Sequence, residues 1–226
     1  EEQRILKLYS IRGELFMAFD FKKEYKALYA PTTKPEIIEI PSMNFLSVRG
    51  SGNPNETDGE YRKALNLLYG IAYTIKMSYK NTYKIEGFFE YVVPPLEGFW
   101  WQDGIQGVDY SHKETFQWIS IIRLPDFVTE KDLDWAIQEA SKKKKLDFSS
   151  VKFMKYEEGL CVQCMHIGSY DDEPATIQAM DTYANEQGYI IDISQNRFHH
   201  EIYLSDPRKT KKENLKTVIR HPIKEK

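Results

Sequence analysis

The run His199-His-Glu-Ile-Tyr-Leu-Ser-Asp sets two carboxylates, two imidazoles and a phenol in one short stretch. Neighbouring residues of an extended strand point to opposite faces, so Glu201 shares a face with His199 and Tyr203 while His200, Ile202 and Leu204 take the other. A carboxylate in mid-strand beside a phenol is exposed, paired, or placed in a cavity where it meets a ligand. In a cavity it serves as counter-charge for a cation or as a general base, which makes Glu201 and Tyr203 the candidate catalytic groups.

A second stretch, Pro94-Pro-Leu-Glu-Gly-Phe-Trp-Trp, places half of the chain's four tryptophans side by side. The prolines lack the N–H a strand needs and Gly98 permits a tight reversal, so Phe99 to Trp101 read as the start of a new strand. Trp100 and Trp101 then face opposite ways, and one of them is free for an edge, a partner or a ligand. Aromatic residues make up 14% of the chain, enough either for a ring-built core or for a ring-lined pocket of the kind that holds flat ligands. Trp100, Trp101, Trp118 and Tyr156, with Tyr203, are the candidate ligand-binding rings.

Other chemistries find little support. The two cysteines, Cys161 and Cys164, form a C-x-x-C, but on a strand they point to opposite faces, as do His199 and His200, so no metal site is expected. A redox C-x-x-C belongs at a helix N-terminus instead. G-x-S-x-G, G-x-G-x-x-G and P-loop patterns are missing, which predicts neither a nucleophile elbow nor a cofactor. A net charge of −3 and an isoelectric point near 6.0 disfavour nucleic acid as a partner. No apolar run is long enough to cross a bilayer, so no membrane partner is expected, and the low cysteine content suits a reducing, cytoplasmic setting. The expected partner is a small aromatic molecule, bound by a monomer or a homodimer.

The elements that must position these residues follow from periodicity. Residues 1–16 are set aside as an appended or variant leader before Met17, leaving 17–226 as one domain. Residues 36–40 and 45–49 read as strands, 50–59 as a loop, and 61–77 as a helix with Ala64, Leu65, Leu68, Ala72 and Ile75 on one face. Strands are predicted at 87–93, 99–101 and 116–124. A linker helix over about 126–146 is capped by Thr129, with acids in its first turn and lysines at its end. The second half repeats the outline: strand 160–167, loop 168–174, helix 175–187 stopped by Gly188, and strands near 189–193 and 198–204. Two copies of a strand-helix-strand-strand module, over about 43–125 and 151–208, form a cleft where they meet. Residues 209–226 read as a C-terminal tail.

Three segments together, Pro94 to Trp101, Glu158-Gly-Leu-Cys-Val-Gln-Cys-Met-His-Ile-Gly-Ser-Tyr-Asp-Asp-Glu-Pro, and His199 to Lys209, resemble standalone gyrase-inhibitor-like (GyrI-like) small-molecule-binding proteins. The resemblance runs from about Met17 to the C-terminus. It implies an α+β fold: two repeated strand-helix-strand-strand modules forming an antiparallel sheet, helices on one face, and a ligand cleft between the halves. It implies a glutamate facing flat cationic ligands, at the position of Glu201. It also implies a catalytic branch, the cyclopropanoid cyclopropyl hydrolases, which open the strained ring of cyclopropylpyrroloindole DNA-alkylating antibiotics inside an aromatic cage. Two functions therefore stand side by side: hydrolysis of such alkylators, giving cellular protection, and non-catalytic sequestration of flat, often cationic, molecules.

Overall fold

Eight strands that pair edge to edge carry the architecture, in a computed structural model that describes residues 18–105 and 109–226. The expected leader lies outside the described residues. The strands are β1 (Glu36–Ile40), β2 (Met43–Ser51), β3 (Leu96–Trp101), β4 (Gln117–Arg123), β5 (Lys152–Tyr156), β6 (Gly159–Ile167), β8 (His199–Tyr203) and β9 (Lys216–Glu225), and a short β7 (Tyr189–Ile191) adds to β9. Their order across the sheet is β1-β6-β9-β8-β3-β4-β2-β5, and each of these pairings is antiparallel. The helices are the short α1 (Phe21–Glu24) and α2 (Lys26–Tyr29), then α3 (Glu60–Lys76), α4 (Glu130–Lys144) and α5 (Glu173–Glu186).

The order is symmetric about the β8–β3 pair. One half runs β2, α3, β3, β4 with β4 in the middle of its three strands, and the other runs β6, α5, β8, β9 with β9 in the middle. Each half's leading strand crosses to the far half, β1 pairing with β6 and β5 with β2. The expected repeat is present, but its second copy extends past residue 208 to include β9. The segment expected as a tail is a central strand, flanked by β6 and β8. Being covered on both faces, it is buried continuously from Thr217 to Ile223, so it shows none of the alternation that marks a half-exposed strand. Its Arg220 and His221 are buried with partners rather than solvated.

Helices α3 and α4 pack on one side of β2, β3 and β4 through Leu68, Ile71, Ile75, Leu133 and Ala136, against Leu46, Val48 and Ile122. On the same side α5 packs Met180 and Ala184 against β6 and β9. Thr129 caps α4 in a reciprocal capping box with Asp132. Residues 18–35 cover the opposite side of the sheet, where Phe19, Phe21 and Tyr29 bury against Phe45, Phe99, Ile121 and Ile202. Residues 87–93 are not a strand. They join this cover through one bridge, Phe19 to Tyr91, and their rings pack on Phe127.

Beneath that cover lies a buried ionic network. His200 stands 3.0 Å from both Glu97 and Glu158, and Arg220 pairs with Glu158 at 2.8 Å. Burial alone would raise the Glu158 pKa, but His200 and Arg220 outweigh it and hold the carboxyl down at about 2. Burial opposes the charge on His200 too, yet Glu158 and Glu97 pull its pKa above the ordinary value. Breaking such a pair from one side costs about 3–5 kcal/mol, so this network fixes the sheet's register at its centre.

Candidate functional site

Strand register brings the site residues together on the helix side. Ser120, Gly98, Glu201 and Ile219 stand in one row across β4, β3, β8 and β9, and Trp118, Trp100 and His199 form the next. Gly98 sits in mid-strand rather than at a reversal. A Cβ there would lie 2.7 Å from Trp100 Nε1 and 3.2 Å from the Tyr203 hydroxyl. Without one, the indole lies across the sheet and donates its Nε1–H to Tyr203 at 2.8 Å. Gly50 does the same for Trp118, whose six-membered ring fills the space a Cβ would take. Tyr61, in the first turn of α3, covers both indoles, tilted over Trp100 at 5.4 Å and edge-on to Trp118 at 5.2 Å. Tyr170 closes a further side, edge-on to Tyr203 at 5.8 Å.

The chemical centre is a pair of buried carboxyls. Glu173, in the first turn of α5, and Glu201, on β8, face each other together with His199, their ligand atoms all within 4.8 Å of one another. Tyr110 donates to Glu173 Oε2 at 3.0 Å. The other oxygen, Oε1, is buried with no donor among the described residues. A helix N-terminus favours an anion by at most about 2 kcal/mol. Burial first, and the Glu201 charge second, act the other way and hold the Glu173 pKa well above the ordinary carboxylate range. A raised pKa favours a proton on Glu173, which would give its Oε1 a donor to share with the facing Glu201 carboxylate. Burial and the same charge push Tyr170 up to about 12 and Tyr203, Tyr61 and Tyr110 further in the same direction, so all four remain phenols. The donor set could chelate a cation, but the 2.9 Å contact between His199 Nε2 and Glu201 Oε1 and the Tyr110 bond make it first a hydrogen-bonded, proton-sharing cluster.

The cluster continues outward. His199 Nδ1 meets His221 Nε2 at 2.7 Å, and His221 Nδ1 faces Asp181 Oδ1 at 3.4 Å. That last link is at the edge of hydrogen-bond geometry and its alignment is poor, so a weak or water-bridged contact describes it better than a direct bond. Burial lowers the His221 pKa, leaving the ring neutral. A cavity of about 210 Å³ lies beside these groups, lined by Tyr110, Ile177, Gln178, Asp181, His199 and His221.

Of the residues singled out by sequence, Glu201, Tyr203, Trp100 and Trp118 converge. Trp101 and Tyr156 do not join them. Trp101 points to the opposite face, packing on Phe198 at 5.1 Å under the Arg49 guanidinium. Tyr156 packs on Phe99 and donates to the Asn196 carbonyl at 2.9 Å. Of the adjacent tryptophans, Trp100 is the one that shares a face with Glu201 and Tyr203. Sequence reasoning missed Glu173, Tyr61, Tyr110 and His221. An acid next to a helix-starting proline reads as an ordinary solvated first turn, and His221 lay in the supposed tail.

A family model described as the GyrI-like small molecule binding domain matches residues 33–224. A solved structure described as a hydrolase from Listeria innocua is 48% identical with a TM-score of 0.83, the match covering 91% of this chain and 100% of that one. An uncharacterized conserved protein from Listeria innocua is 49% identical with a TM-score of 0.86, again over 91% and 100% of the two chains. The EcmrR C-terminal domain, at 13% identity, a TM-score of 0.52 and 85% and 98% coverage, is similar in fold alone. A comparison with curated proteins found no match.

Proposed function

We propose that this chain, which belongs to the GyrI-like small molecule binding family, takes a planar aromatic alkylator against Trp100, Trp118 and Tyr61 and hydrolyses its cyclopropane ring. The observation that carries the reading is the buried Glu173–Glu201 pair, two facing carboxyls of which burial and the Glu201 charge raise the pKa of Glu173, beside the Tyr203 phenol that Trp100 donates to. The description of a 48%-identical relative as a hydrolase points the same way.

The steps balance on the pair alone. Water enters beside Glu201, which accepts its proton as the water oxygen bonds to the exposed cyclopropane carbon. The strained C–C bond breaks, its electrons restore the aromatic ring, and the former dienone oxygen takes the proton of Glu173. Tyr203 orients this end of the ligand by its hydroxyl. The pair begins and ends with one proton, which returns from Glu201 to Glu173. A positioned acid or base contributes roughly 10²–10⁴ in rate. In a cytoplasmic setting the reaction would remove an alkylator before it reached DNA.

Mass spectrometry of the protein incubated with a cyclopropylpyrroloindole, against a protein-free control, tests this directly. The expected result is a water adduct formed by the wild type and slowed at least about a hundredfold in Glu201→Gln. Equal rates in the two proteins would remove Glu201 from the chemistry. Sequestration of flat cations is a second reading, favoured by the same pair, which becomes a counter-charge on losing its proton. Binding without a water adduct, weakened by Glu201→Gln for cations only, would select it.

A further inference from the structure

The buried carboxyl pair is connected to the surface by a line of groups that neither binding nor ring opening uses. From Glu201 it runs through His199 at 2.9 Å and His221 at 2.7 Å to Asp181 at 3.4 Å. The two imidazoles are buried, while the Asp181 side chain is 45% exposed. The cavity beside Asp181 and His221 has room for water and polar groups to hold it. We propose that His199, His221 and Asp181 form a proton relay that sets the charge of the Glu173–Glu201 pair from solvent, through the cavity that Tyr110 also lines. The proposal deepens the reading of this pair as the ligand-facing group.

The geometry permits a balanced transfer without charging either ring. The pair's proton, once it has crossed from Glu173 to Glu201, passes to His199 Nε2, the His199 Nδ1 proton to His221 Nε2, and the His221 Nδ1 proton to Asp181. Three bonds to hydrogen break and three form, and one proton has moved from Glu201 to Asp181, which releases it to water. Run backward, the same hops reload the pair. The tautomers required have each histidine neutral, which burial favours for His221. The long final link is where the cavity's water would take part.

Such a route has a use because, among the described residues, no cation pairs with Glu173 or Glu201 apart from the His199 ring, and Lys113 is paired with Asp171 at 2.6 Å. Asp171 and Tyr170 approach from the turn before α5, Tyr110 from the loop after β3, Tyr61 from α3 and Tyr203 from β8 itself. These acids and phenols make a second charge on the pair unfavourable until a cation arrives. The proton must then leave, and it must return when the cation goes. Through the aromatic cover that path would be blocked by the ligand.

Exchange of the His199 and His221 ring protons with water, measured by NMR on the full ¹⁵N-histidine-labelled chain without ligand, tests the relay. The expected result is exchange far faster than global unfolding allows and dependent on buffer concentration. It should slow at least about tenfold in Asp181→Asn. Ile177→Trp, which fills the cavity and leaves all four relay groups in place, should slow it similarly, and it decides the matter alone if Asp181→Asn does not fold. Wild-type exchange in the deciding variant, or exchange that only tracks unfolding in denaturant, would overturn the relay. Because no alkylator is present, the outcome is separate from whether the protein hydrolyses one.

Discussion

Burial and the Glu201 charge raise the Glu173 pKa, and this has a thermodynamic sign. A group whose folded pKa lies above its unfolded value stabilises fully below the unfolded pKa and loses that contribution as pH rises through the folded one. For Glu173 the loss begins above the ordinary 4.5, and for His200, also raised, above 6.5. Glu158 has the opposite sign: its contribution is present above 4.5 and is lost as pH falls through about 2. Thermal melts across pH should therefore show greatest stability on the mildly acidic side. Glu173→Gln keeps an acceptor for Tyr110, offers Glu201 an N–H and carries no charge, so it should raise stability at pH 8 by about 1 kcal/mol while abolishing the proposed ring opening, as sites strained for function do. A lower melting temperature for this variant at pH 8 would mean that Glu173 is ionised in the fold. Period-two alternation was enough to place Glu201, His199 and Tyr203 on one surface. It could not reveal Glu173, whose burial depends on a contact between α5 and β8 that no local pattern encodes.

At the scale of elements, the flat lie of two indoles depends on two strand positions without side chains. Gly98 looked like a reversal because two prolines precede it, yet the prolines lie outside β3 and the glycine serves packing. In Gly98→Ala the new methyl would meet Trp100 Nε1 and the Tyr203 hydroxyl, displacing the indole and breaking the 2.8 Å bond between them. Overpacking of this kind costs about 1–3 kcal/mol. The loss should appear as a blue-shifted tryptophan emission change and as weaker binding of a flat probe such as proflavine, with the variant still folded. Unchanged emission and affinity would show that Trp100 is not held by this gap. The misread strand at 87–93 has a related cause. Phe88, Phe89 and Tyr91 carry strand-like composition, but they serve as a cover over the sheet's second face and make only one bridge to Phe19.

The whole molecule is two similar halves joined at β8 and β3, and the candidate site residues gather at that joint. Glu201 and His199 come from one half, Trp100 and Trp118 from the other, so the fold must be complete before the site has a floor. The repeat was readable from the strand-helix outline shared by residues 43–125 and 151–208, since local periodicity records it. The closing strand was not, because β9 pairs at long range and hides its apolar residues between Lys216, Arg220, His221 and Lys224. A true tail could be removed at little expense. Removal of β9 would instead strip the partners of β6 and β8 along their lengths, take Arg220 away from Glu158, and expose Val162 and Cys164 of β6 together with Met180 and Ala184 of α5. The lost ion pair alone costs about 3–5 kcal/mol, a large part of the 5–15 kcal/mol that holds a typical domain together. A chain ending at residue 215 should therefore show no cooperative thermal transition and bind no flat probe, whereas one lacking only Lys226 should melt as the wild type does. A cooperative melt in the shorter chain would mean that the β2-β4-β3 half folds by itself, and the molecule would then be two domains sharing a sheet.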